Sequence, residues 1–201
     1  MLEAASLDCE RGGRLLFRGL SFALKEGDLL RIAGTNGRGK TSLLRILCGL
    51  LSPAAGEVRW KGEPIRVQKE EYSRQLLYLG HAPAVKDELT AAENLSIACR
   101  LAGNARSGSE VSAALRTLEV AEGALVRTLS QGQRRRAALA RLVASPAVPL
   151  WLLDEPLAAL DARAAGLVEG LIREHIGRGG SVVYTTHQEA RLEGRVIDLD
   201  A

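Results

Sequence analysis

Eight consecutive residues, Gly34-Thr35-Asn36-Gly37-Arg38-Gly39-Lys40-Thr41, carry the strongest chemical signal in the chain. They fit the pattern G-x-x-x-x-G-K-[ST]. A short apolar run, Leu29 to Ala33, precedes them, and Ser42 to Leu51, with leucines at helical spacing, follows. Glycines let backbone N–H groups turn inward around phosphate oxygens, which a side chain would obstruct. A helix starting near Lys40 aims its partial positive charge at the same anion. Lys40 is placed to reach the β- and γ-phosphates of a nucleotide, and Thr41 to offer a hydroxyl to Mg²⁺. The plainer alternative is a Gly-rich turn with a solvated lysine. The strand–loop–helix context favours phosphate, but the loop alone says no more than "nucleotide".

A second group supplies acid. Leu150-Trp151-Leu152-Leu153-Asp154-Glu155 reads as an apolar strand tipped by two carboxylates. At a strand end Asp154 can face the Mg²⁺ held by Thr41, and Glu155 can polarise a water against the γ-phosphate as general base. The bland alternative is a pair of solvated acids at a turn, helped by Pro156.

These residues need a scaffold. Leu15-Leu16-Phe17, Leu20 to Leu24 and Val58-Arg59-Trp60 read as short strands with turns between. From about Asp87 to Ala144 the pattern becomes helical, with Ala91 to Leu101, Glu110 to Val120 and Gln131 to Ala144 rich in Ala, Leu and Arg. Strands return at Val148 to Leu153 and Ser181 to Thr185. Alternating strands and helices predict a parallel α/β core, with the helical block an inserted subdomain.

Composition bounds the rest. The 201 residues fit one domain and 46% are hydrophobic, so a sizeable core is expected. A net charge of +3 is too weak to argue for nucleic acid, and Arg134-Arg135-Arg136 reads as a solvated helix face. Cys9, Cys48 and Cys99 are scattered and form no CxxC pair, so neither a zinc site nor a disulfide framework is expected. The first ten residues do not read as a signal peptide, and no stretch approaches the roughly 18 apolar residues of a membrane helix. A membrane role would run through a partner.

Taken together these segments resemble the nucleotide-binding subunits of ABC transporters, over nearly the whole chain. The diagnostic stretch is Leu129-Ser130-Gln131-Gly132-Gln133, similar to the ABC signature with Gln131 where glycine is usual. Ser130 is a good N-cap for Gln131 to Ala144, and a capped helix start beside Gly132 is an anion site. The resemblance implies that this site contacts the γ-phosphate held by an opposite subunit. Ala159-Leu160-Asp161 resembles the D-loop, and His187 in Thr185-Thr186-His187 the switch histidine after the last core strand. The implied fold is α/β, a P-loop NTPase of ABC type. It has a mixed sheet core, an N-terminal antiparallel β-subdomain and a helical subdomain at about 87–145, all in one ATP-binding domain over 1–201.

Two positions depart from the family pattern. Arg11 occupies the place of the aromatic residue that usually stacks on adenine; a guanidinium can stack there too. His81, in Tyr78-Leu79-Gly80-His81-Ala82-Pro83, sits at or beside the usual glutamine, which implies a contact with Mg²⁺. A neutral imidazole can accept through one nitrogen and donate through the other. The alternative is that His81 packs on Pro83 or caps a backbone group.

Within the family the chain resembles most the ATPases of cytochrome c maturation. The matching segments are Leu16 to Phe22, Asn36 to Leu51, Gly56 to Trp60, Tyr78 to His81, Leu89 to Leu95 and Thr185 to Gln188. Little chain follows His187, so no C-terminal regulatory domain is expected. The resemblance implies ATP as substrate with Mg²⁺, a head-to-tail homodimer, and a peripheral place at the cytoplasmic face of a bacterial inner membrane. It further implies docking on an integral permease with haem-handling subunits, and ATP use in haem export or release of a haem-loaded periplasmic chaperone. Neither haem binding nor nucleic-acid binding is expected of the chain itself. The rivals are the ATPase of another exporter, for a drug, lipid or ion, and a soluble ABC ATPase acting on ribosomes or DNA. The second lacks support, since the chain has neither a second cassette nor a long coiled coil.

Overall fold

The computed structural model describes residues 1–187 and 191–200. Its opening is a hairpin of long strands. β1 (Leu2–Arg11) pairs antiparallel with β2 (Arg14–Leu24) across Gly12-Gly13, both at positive φ, as a tight hairpin turn requires. The two short strands expected at Leu15–Phe17 and Leu20–Leu24 are one strand. The interruption at Arg18-Gly19 is a local irregularity, with Gly19 at φ 64° and register shifts in the pairing.

After β3 (Leu29–Ala33) and α1 (Lys40–Leu47) the chain returns through β4 (Ala55–Trp60) and β5 (Glu63–Pro64). One antiparallel sheet results, in the order β2-β1-β4-β5. The helix α1 begins earlier than Ser42 and stops short of Leu51, because Gly49 at φ 74° turns the chain. Next come α2 (Lys69–Arg74) and β6 (Leu76–Leu79), then α3 (Ala91–Leu101), α4 (Gly108–Thr117) and α5 (Gln131–Ala144). Each of these last three helices starts at a capping box: Thr90 with Glu93, Ser107 with Glu110, Ser130 with Gln133. The Ser107 box is why α4 begins ahead of Glu110. The three helices pack on one another.

The chain then runs through β7 (Leu150–Leu153), α6 (Ala162–Gly177), β8 (Ser181–Thr185) and β9 (Arg195–Asp198). The second sheet has the order β6-β7-β8-β3-β9, and its strands pair in parallel among the described residues; the antiparallel strand pairs belong to the first sheet. One expectation changes here. β8 is not the last core strand, because β9 follows His187 and pairs with β3 at the sheet edge. Its residues Arg195 and Val196 are exposed, so β9 lacks the continuous apolar run that marks a buried strand.

The parallel sheet separates two cores. Along β7, Leu150 and Leu152 join β1, α1 and β4 in one apolar cluster, while Trp151 and Leu153 join α3 to α6 in the other. That is the period-2 alternation of a strand covered on both faces. A rigid sheet, buried on either side, therefore carries the loops that follow β3, β7 and β8.

Candidate active site

Those three loops meet. After β3 the chain turns at Gly34 (φ 134°) and reaches α1 through Gly39 (φ 97°). Gly39 caps α1 with no side-chain hydrogen bond. A Cβ at Gly39 would also lie 3.1 Å from Cβ of Leu16 and 3.3 Å from Cδ1 of Phe17, so β2 presses on the loop where only glycine fits. Lys40 is buried, and its ammonium donates to the carbonyls of Gly34 (2.7 Å) and Thr35 (3.2 Å), curling over the loop.

The acids at the end of β7 close on this loop. Thr41 Oγ1 donates to Oδ2 of Asp154 at 2.8 Å, and Thr185, the last residue of β8, donates to Oδ1 at 2.8 Å. Asp154 is 2% exposed, and both carboxylate oxygens are satisfied, one from α1 and one from β8. The Thr185 hydroxyl also accepts the backbone N–H of Glu155 at 2.9 Å. Glu155 sits at φ 51°, a left-handed conformation rare for a residue with a Cβ. Its carboxylate accepts the backbone N–H of His187 at 3.1 Å through Oε2. Oε1 lies 3.4 Å from His187 Nε2, an ion pair only when the ring is protonated.

A cleft of about 650 Å³ opens here. It is lined by Lys40, Thr41 and Ser42 from α1, Asn36, Gly37 and Gly39 from the loop, Asp154 and Glu155, His187, His81, and Arg11 with Leu16 from the hairpin. The expected phosphate loop, acid pair, switch histidine, His81 and Arg11 thus share one cavity. Gln188, the end of one resembling segment, lies outside the described residues.

Other expected residues stand elsewhere. Thr35 donates its N–H (2.6 Å) and hydroxyl (3.0 Å) to Asp200, and Arg38 pairs with the same carboxylate at 2.6 Å. The Asp200 carboxyl is held below its usual range, first by the Thr35 N–H. Ser130, Gln131, Gly132, Gln133 and Asp161 do not line the cleft. Ser130 Oγ accepts the Gln133 N–H at 3.3 Å, and Gln133 Oε1 accepts the Ser130 N–H at 2.9 Å. A Cβ on Gly132 would meet the Ala159 carbonyl at 3.0 Å, and Asp161 caps α6 through the Ala164 N–H at 2.8 Å.

The basic triplet at the start of α5 needs correcting. Arg135 is 4% exposed and reaches the carbonyls of Gly80, His81, Asp154 and Glu155, so the three arginines are not one solvated face. The signal was present in the spacing: Arg135, Ala138, Leu139 and Leu142 are all buried and follow the i, i+3, i+4, i+7 stripe. Sequence reasoning reaches Thr185 only as the end of the Ser181 to Thr185 strand and the neighbour of His187, and does not reach Asp200.

Comparison with known proteins fits this geometry. The ABC transporter family model matches residues 17–158. The chain belongs to the ABC transporter family. It is similar to the cytochrome c biogenesis ATP-binding export protein CcmA of Aromatoleum aromaticum, 53% identical over 99% of this chain and 95% of that one. The CcmA of Dechloromonas aromatica is 50% identical over 98% and 97%. Among solved structures, a putative ABC transporter ATP-binding protein from Pyrococcus furiosus superposes with a TM-score of 0.84 at 25% identity, covering 99% and 97%. A dimeric post-hydrolysis ATP-binding cassette, MJ0796, bound to ADP and Pi, gives 0.82 at 23%, covering 94% and 88%; at that identity the likeness is one of fold. The chain is thus an ABC ATPase of the CcmA type, and the ABC ATPase fold binds ATP. Among the described residues no helix is long and apolar enough to cross a membrane.

Proposed function

We propose that this chain is the ATP-hydrolysing subunit of an ABC complex for cytochrome c maturation. ATP binding and hydrolysis would drive haem export or release of a haem-loaded periplasmic chaperone. The observation that carries the catalytic part is the unbroken contact series Thr41–Asp154–Thr185–Glu155–His187 at the mouth of the phosphate loop. The maturation role is supported by curated relatives that match nearly the full chain.

The N–H groups of the loop and of the first turn of α1 bind the phosphates, and Lys40 leaves its loop carbonyls to neutralise the β- and γ-phosphates. Thr41 and Asp154 form an oxygen donor pair suited to Mg²⁺, with His81 a further candidate; the ion would neutralise charge on the phosphate oxygens. Glu155 takes the proton of the attacking water at its carboxylate. His187 fixes that carboxylate through its backbone N–H and turns its ring to the γ-phosphate. Arg11 would lie against the base.

The signature helix start lies outside the cleft of its own chain, which supports a head-to-tail homodimer in which Ser130, Gln131, Gly132 and Gln133 act on the partner's ATP. Asp161 then lies at the junction. We assign 1–201 to one ATP-binding domain, with about 87–145 as its helical unit. It would dock peripherally on an integral membrane permease and haem-handling subunits, at the cytoplasmic face of the inner membrane, without itself binding haem or nucleic acid.

Lys40→Ala tests the proposal. ATP hydrolysis by the complex should fall at least about a hundredfold, the scale of one lost electrostatic stabiliser. A host relying on the variant should lack c-type cytochromes. Retained hydrolysis would reject the site, and normal c-type cytochromes would reject the pathway.

A further inference from the structure

Arg135 is the one buried guanidinium among the described residues, and it touches both the acid pair and the segment after β6. Its Nη1 donates to the carbonyls of Gly80 and His81, both at 3.0 Å. Its Nη2 donates to those of Asp154 at 2.8 Å and Glu155 at 2.6 Å. The first pair belongs to the segment after β6, the second to the end of β7, and the side chain itself rises from the first turns of α5, just past the Ser130 cap. Three separate elements therefore meet on one planar fork.

The chemistry of the arrangement is specific. Four carbonyls converging from two loops need several N–H donors held in one plane, which a guanidinium has and an ammonium lacks. Burial works against the charge, and the nearby carboxylates of Asp154 and Glu155 work for it. The backbone that Arg135 grips also needs holding, because Glu155 occupies a left-handed conformation that persists only where its surroundings over-determine it. Thr185 holds the N–H of Glu155, and Arg135 holds its carbonyl.

We propose that Arg135 is a positioning residue for hydrolysis, keeping the Glu155 carboxylate in register with the Gly80-His81 segment and with the start of α5. The inference rests on the ATPase reading above and extends it to a residue outside the phosphate loop, the acid pair and the switch histidine. Any displacement of Gly80-His81, or of α5, reaches Glu155 through this side chain. Among the described residues no hydrogen bond or ion pair joins it to the phosphate loop, so nucleotide binding and turnover should separate.

The test uses Arg135→Lys and Arg135→Gln in the full chain assembled with its membrane subunits. Turnover, the dissociation constant of a fluorescent ATP analogue, and the urea midpoint are measured together. Misplacing the general base should lower kcat on the order of a hundredfold in both variants. Binding of the analogue should change by less than about threefold. Lysine keeps the charge and most of the stem, so a folded variant is secured even if glutamine unfolds the chain. A kcat within about threefold of wild type in either folded variant overturns the proposal. So does a loss of analogue binding in step with the urea midpoint, the mark of a merely structural role. A wild-type complex that hydrolyses no ATP sinks the ATPase reading, and the inference with it.

Discussion

Thr185→Val tests the polar chain at the mouth of the phosphate loop. Thr185 is fully buried and its one hydroxyl does two jobs, donating to Asp154 at 2.8 Å and accepting from the Glu155 N–H at 2.9 Å. Valine has nearly the same shape and an equal preference for strands, so β8 should keep its packing and no cavity should open. What is lost is electrostatic. A hydrogen bond to a charged group contributes about 1.5–3 kcal/mol, and a buried N–H left unpaired costs about 1–3 kcal/mol more. Asp154 retains its bond from Thr41, which limits the damage on that side. The expected loss is therefore about 2–5 kcal/mol, a large part of the stability of an ordinary domain. Urea unfolding of wild type, Thr185→Val and Thr185→Ser measures it directly, with serine retaining the hydroxyl. ATP turnover should fall at least about tenfold in the valine variant, because the strained Glu155 backbone loses one of its two anchors. A stability change under about 1 kcal/mol, with turnover unchanged, would show that the hydroxyl is not the link between the two acids.

Glu155→Gln should keep ATP binding while slowing hydrolysis, and so accumulate an ATP-bound dimer visible by light scattering; a variant that stays monomeric with ATP and Mg²⁺, with or without its permease, rejects the shared-site arrangement. His175 is buried in a parallel stack on Trp151, ring centroids 3.8 Å apart, and desolvation pushes its pKa down from 6.5 to about 4. The unfolded chain takes up a proton below about pH 6.5 that the folded ring refuses, so stability should fall between about pH 6.5 and 4 and be level above. The loss should reach about 2 kcal/mol by pH 5, and His175→Phe should flatten it. Equal slopes in the two proteins over pH 7 to 5 would refute the assignment.

The phosphate loop and acid pair were legible because their chemistry demands residue types at fixed spacing. The capped start of α5 was legible because Ser130, an oxygen side chain ahead of a helical stripe, has a local cause. The misses are long-range. Thr185 and Asp154 lie 31 positions apart, and Thr35 and Asp200 lie 165 apart. Nothing in the local pattern around either carboxylate identifies such a partner. β9 was invisible for a related reason: an edge strand half open to solvent has no apolar run, and its pairing with β3 exists only once the sheet is assembled. Arg135 was misread because three adjacent arginines look like one charged face, although a helix turns successive residues by about 100°, so one of the three can point inward.

The acids stand on a sheet buried on both faces, and their side chains are tied to Thr41 at the start of α1, Thr185 at the end of β8 and the His187 backbone just beyond it. The helix α5 belongs to a different layer, where its apolar face packs with α3 and α4. A lipid-like contact between α5 and the sheet would let the helix slide, because apolar packing has no preferred direction. Directional bonds to the Asp154 and Glu155 carbonyls do not permit sliding without a cost. A cation at this point therefore joins the helical unit to the catalytic carboxylate with a geometry that apolar packing cannot supply. The same fork reaches Gly80 and His81, so the loop lining the cleft is bound into the joint as well. Burying a charge in a core is expensive unless its partners are arranged in advance, and here those partners are the backbone of the site itself.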